Sequence, residues 1–125
     1  MDAGTNDQYF PAIRADGSNT VNIAYMSAQA DGMNHRANVV LRQVAPGGAT
    51  PDPVGGAQVI TSVPMDPSGD FFFGDAFIGT YIGVAARSTA SGRHVYIHHT
   101  HTIVNGLFNG VPAPEQNNHL SRYDY

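Results

Sequence analysis

Residues 70–102 read DFFFGDAFIGTYIGVAARSTASGRHVYIHHTHT. Two apolar runs of β character stand in this stretch, 81–86 (YIGVAA) and 94–99 (HVYIHH). A Ser/Gly-rich segment, 88–92 (STASG), separates them, and the whole reads as a hairpin. An earlier stretch has the same design. Residues 9–15 (YFPAIRA) form a strand candidate, Asp16-Gly17-Ser18-Asn19 is a strong turn signal, and 20–26 (TVNIAYM) alternates cleanly. In that second run Val21, Ile23 and Tyr25 share one face, with Asn22 and Ala24 on the other. Pro11 has no amide proton to donate, so it belongs at a strand start or on an edge.

Working outward, residues 27–36 read as a polar loop around Asp31-Gly32, and 37–44 (ANVVLRQV) as a third strand. Residues 45–56 hold three Pro and four Gly and read as loop, followed by a fourth strand at 57–63 (AQVITSV). Residues 64–80, with Phe71, Phe72, Phe73 and Phe77, read as a long loop whose rings plug a core or offer a stacking platform. Residues 103–118 read as another long loop, and 119–125 (HLSRYDY) as a last strand. The expected fold is all-β, built from antiparallel meanders in a single domain over 1–125. Its two blade-like repeats are 7–65 and 66–125.

Composition agrees with strands and elaborate turns. Lys is absent, Glu115 is the one Glu, and 14 Gly and 8 Pro stand in a chain of 125 residues. Helices draw their surface residues from Lys and Glu, so this chain lacks the material for them. The net charge of −4 and the absence of a basic run argue against binding nucleic acid through its phosphates. No apolar stretch approaches the roughly 20 residues of a membrane-spanning helix. The start, Met1-Asp2-Ala3-Gly4, has no signal-type character. With no Cys, neither disulfides nor thiolate metal sites are available.

The two hairpins superpose as text. Ile13 falls on Val84, Ala15 on Ala86, Val21 on Val95, Ile23 on Ile97 and Tyr25 on His99. A repeated meander points to radial repetition. Asp7-Gln8-Tyr9-Phe10-Pro11-Ala12-Ile13, then Gly17, then Val21-x-Ile23-x-Tyr25, resembles the sialidase-like (BNR/Asp-box) β-propeller family. In the second copy, Phe73-Gly74-Asp75 with 81–85 (YIGVA) resembles that family's GDY-x-G-(I/V)-A segment, and 95–99 follows as its next strand. The resemblance covers roughly residues 7–101 and implies the last two blades of a six-bladed propeller. It also implies glycan as a ligand class, with Tyr25, Asp31 and Tyr81 as substrate-binding candidates, and an extracellular or surface setting. Neither copy keeps the family's Asp-x-Arg after the second strand: Met26-Ser27-Ala28 and Thr100-His101-Thr102 stand there instead. Two blades do not close a ring. The expectation is therefore a longer parent propeller, several copies completing a ring, or another protein covering the open faces. Gly83 is read as a position of close blade packing, at which valine is expected to damage folding.

Two clusters carry candidate chemistry. His94 and His98 share one strand face, and His99 and His101 the other. A His pair at i, i+2 holds Zn²⁺ or Cu²⁺ when a third ligand arrives, here Asp75 or His119; the alternative is polar histidines at a sheet end. Asp66, Ser68, Asp70 and Asp75 space oxygens as calcium loops do, so Asp70 and Asp75 are Ca²⁺ candidates; the alternative is turn-capping carboxylates. For glycoside hydrolysis the candidate groups are Asp31, Asp75 and Glu115, with Tyr25 or Tyr81, and no spacing selects a pair among them. Three functions stay open: a binding or assembly module without catalysis of its own, part of a glycan hydrolase with its catalytic residues elsewhere, and a structural subunit.

Overall fold

The computed structural model describes residues 4–45, 52–66 and 82–125, all β and turn, with no helix among them. The strands are β1 (Gln8–Ala15), β2 (Val21–Ser27), β3 (Asn38–Ala45), β4 (Asp52–Pro53), β5 (Gln58–Val59), β6 (Gly83–Thr89), β7 (Gly92–Phe108) and β8 (Val111–Asp124). They form two antiparallel sheets. The first runs β1-β2-β3, with both β4 and β5 on the far edge of β3; the second runs β6-β7-β8.

In the first sheet, register follows the alternation in the sequence: Asn22 pairs with Gln43, Ala24 with Leu41 and Met26 with Val39. The β1–β2 pairing slips between Tyr9 and Ala12, which leaves Phe10 and Pro11 outside the ladder. Pro11 thus lies at a bulge on an edge strand, where its missing donor is tolerated. Phe10 turns the chain there with φ of 54°, a left-handed conformation unusual for an aromatic residue. The expected fourth strand, 57–63, is shorter and more broken than its sequence implies. Only Gln58–Val59 pair as β5, while Asp52–Pro53 pair ahead of them, inside the segment expected to be loop. Gly55, at φ of 75°, turns the chain between the two. An isolated Ala37–Met65 bridge extends the same edge.

The second sheet departs further from expectation. Residues 103–118, expected as loop, belong to one long hairpin. Its turn is Asn109-Gly110, with φ of 49° and 80°, the signs a type I′ turn requires. Pro112 and Pro114 fall in β8, an edge strand. β6 pairs with β7 only as far as His98, so beyond that point β7 and β8 continue as a two-stranded ribbon. Leu107 and Val111 of that ribbon are exposed.

The sheets stack face to face. Ala24, Met26, Val39 and Leu41 of the first meet Val95 and Ile97 of the second, joined by Ala37 and Met65. Burying a side chain such as Leu41 or Ile97 contributes about 1.5–3 kcal/mol. The face that β2 turns to this core is therefore Asn22, Ala24 and Met26, while Val21, Ile23 and Tyr25 lie on the outer face. Gly83 also points away from the core. It pairs with His98 on the exposed side, and a Cβ built on it would meet only the His98 Cβ, at 3.6 Å. That is ordinary van der Waals distance, so the expectation of a close-packing glycine within this fold is corrected.

Candidate functional site

The inner face has an apolar centre and two polar ends. At the end near the β1–β2 turn, Asp16 is 8% exposed. Its Oδ1 accepts from the Ser18 amide (2.8 Å), the Ser18 hydroxyl (2.8 Å) and the Thr20 amide (3.0 Å). The Tyr125 hydroxyl donates to its Oδ2 at 2.6 Å, which ties the turn of the first sheet to the last residue of the chain. The Gln43 amide donates to Asn22 Oδ1 at 2.9 Å beneath it, and the Arg93 guanidinium lies over the Tyr125 ring. Burial pushes the Asp16 carboxyl up, but its hydrogen bonds from Tyr125, Ser18 and Thr20 outweigh this and hold it at about 2.

The opposite end is built from histidine. His99 and His119 are direct partners across β7 and β8, and His101 follows on the same face two residues along. The three rings form a triangle, with centroids 5.9 Å (His99–His101), 5.4 Å (His99–His119) and 5.9 Å (His101–His119) apart. They line a recess of about 80 Å³ together with Ile60, Thr61, Ser62 and Ser121. His99 and His101 are buried and His119 is exposed. His99 donates from Nδ1 to the Thr100 carbonyl (3.1 Å) and accepts at Nε2 from the Ser121 hydroxyl (3.0 Å). His101 donates to the Val63 carbonyl, which leaves its lone pair on the buried Nε2. Burial first, then repulsion from neighbouring histidines, pushes both imidazoles below the usual histidine value. Both shifts favour the neutral imidazole. As the side chains stand, no three His, Asp or Glu among the described residues converge to grip an ion.

On the outer face of the second sheet, His94 Nδ1 lies 2.7 Å from Asp124 Oδ1, to which Arg122 Nε also donates. Arg122 first, then His94, holds the Asp124 carboxyl below the usual range by hydrogen bonding. The expected division of His94 and His98 from His99 and His101 is thus realised on the two faces of β7.

The remaining candidates lie apart from this cluster. Tyr25 is fully buried on the outer face of the first sheet, opposite Val40. Asp31 is exposed, and its carboxylate accepts from the amides of Met33, His35 and Arg36. Those bonds hold its pKa down and make it a loop-capping group. Asp70, Asp75, Tyr81 and the Phe71–Phe77 cluster lie outside the described residues. Sequence reasoning missed the Asp16–Tyr125 tie altogether. Asp-Gly-Ser signals a turn whose carboxylate caps amides, but a partner 109 positions along leaves no local trace.

No protein-family model matches the chain, and neither the curated proteins nor the solved structures contain a match to it.

Proposed function

We propose that this chain is a non-catalytic binding and assembly module whose copies stack sheet on sheet, in the manner of neighbouring blades of a sialidase-like propeller. The carrying observation is the direction of stacking. Val84, Ala86, Val95 and Ile97 of the second sheet face the core, whereas the residues that match them in the first sheet, Ile13, Ala15, Val21 and Ile23, face outward. A symmetric sandwich would turn matching faces toward each other; this chain repeats them in one direction. One matching face is covered by the neighbouring sheet. The other carries Ile13 at 65% exposure and Val59 at 61%, beside half-buried Val21 and Ile23. Apolar surface of that kind is what a further sheet would cover. On the far side of the molecule, exposed Leu120 and Ala85 present the second sheet's outer face. Contact between two unlike faces is heterologous, and it closes into a ring or runs on as a filament.

The test is to place charge on the exposed face, as Ile13→Asp with Val59→Asp, and to compare the solution mass with that of the unaltered chain. Both positions point away from the core, so the variant is expected to keep its β-type circular dichroism and fall to the monomer mass. An unaltered mass distribution would defeat the reading. Glycan binding and a surface location belong to this proposal through the propeller resemblance alone.

A further inference from the structure

We propose that His99, His101 and His119 form a binding site for a divalent transition ion of the zinc class, at the base of the β7–β8 ribbon. Three ring nitrogens held about 2.0–2.1 Å from one ion place their ring centroids about 5 Å apart. The observed separations of 5.4, 5.9 and 5.9 Å exceed this by less than 1 Å.

A ligating imidazole commonly donates its other N–H to a carbonyl or carboxylate, which fixes tautomer and ring plane. His99 is held in this way by the Thr100 carbonyl and His101 by the Val63 carbonyl. In each ring the nitrogen left as donor to a metal is Nε2. At His99 the ion would replace the Ser121 hydroxyl, now 3.0 Å from Nε2.

The recess of about 80 Å³ has room for an ion and a fourth ligand, and the Thr61, Ser62 and Ser121 side chains line it. His119 is exposed on an edge strand, so its ring has room to turn a nitrogen toward the buried pair, while the Ser121 hydroxyl gives way at His99. An all-imidazole set suits Zn²⁺, Cu²⁺ and Ni²⁺ rather than Ca²⁺ or Mg²⁺. The ion would clamp β8 to β7 at the point where β6 ends and the ribbon loses its third strand.

The test is calorimetric titration of ZnCl₂ into the untagged, chelator-treated chain, alongside His119→Ala and His98→Ala. His98 lies on the opposite, exposed face of β7 and serves as the control. One Zn²⁺ per chain is expected, with affinity at least about tenfold weaker in His119→Ala and unchanged in His98→Ala. Circular dichroism of the metal-free variants confirms that each is folded; both replace exposed side chains. Cobalt substitution adds a second readout, visible absorption of a tetrahedral centre in the unaltered chain and its loss in His119→Ala. A folded chain that takes up no Zn²⁺, a His119→Ala variant that binds as well as the unaltered chain, or equal weakening by His98→Ala would each overturn the assignment.

Discussion

The carboxylate of Asp16 accepts hydrogen bonds from its own turn and from Tyr125, and it is held at about 2 rather than its ordinary 3.8. The folded state therefore binds this proton less readily than the unfolded chain does. The resulting stability is fully present above pH 3.8 and is lost as pH falls from there toward 2. Its size is about 2 kcal/mol, since each unit of pKa difference is worth about 1.4 kcal/mol. Replacing Asp16 with Asn is expected to lower the unfolding free energy in urea by about that amount at pH 7. The gap between variant and parent should close as the pH drops through 3.8 to 2. A gap of constant size across that range would show that Asp16 acts through shape and not through charge.

Among the elements, β6 yields a prediction opposite to the one its sequence invites. Gly83 lies in a strand, exposed, with only the His98 Cβ in reach of a new side chain. Glycine inside a strand costs about 0.5–1 kcal/mol of conformational entropy relative to alanine, and β-branched residues suit the pleat. Gly83→Val is thus expected to keep the fold of the single chain and to raise its melting temperature slightly when measured at concentrations too low for copies to stack. A loss of several degrees would mean that β6 is packed on both faces. The reading of Gly83 as a close-packing position belonged to blade-on-blade contact; within the single chain its face of β6 is the exposed one, since a strand buries alternate residues. The strands expected at 9–15, 20–26, 37–44 and 94–99 were legible because alternation and turn residues agree there; the run 81–86 pointed to β6, which begins at Gly83 and extends to Thr89, into the expected turn. Residues 103–118 were not. Their Pro, Asn and Gly resemble loop, and the ribbon they form takes its register from β7 and from the Asn109-Gly110 turn. The pairing of His99 with His119 depends on that same long-range register, which explains why the sequence offered Asp75 and His119 as equal third partners for His99 and His101.

At the scale of the molecule, the two sheets share one core with polar networks at both ends. The turn end is locked by Asp16 and Tyr125, and the far end is lined by imidazoles. The text-level repeat was legible from spacing alone. Its direction was not, because it depends on which face of each strand meets the neighbouring sheet. That direction makes the two outer faces unlike and leaves Ile13 and Val59 in water. The claim that copies stack through these faces is tested most directly by light scattering on the purified chain over a wide concentration range. The account predicts a mass above the 13.3 kDa of a single chain, rising with concentration, and a return to 13.3 kDa in the Ile13→Asp, Val59→Asp variant. A mass of 13.3 kDa for the unaltered chain at every concentration would contradict it.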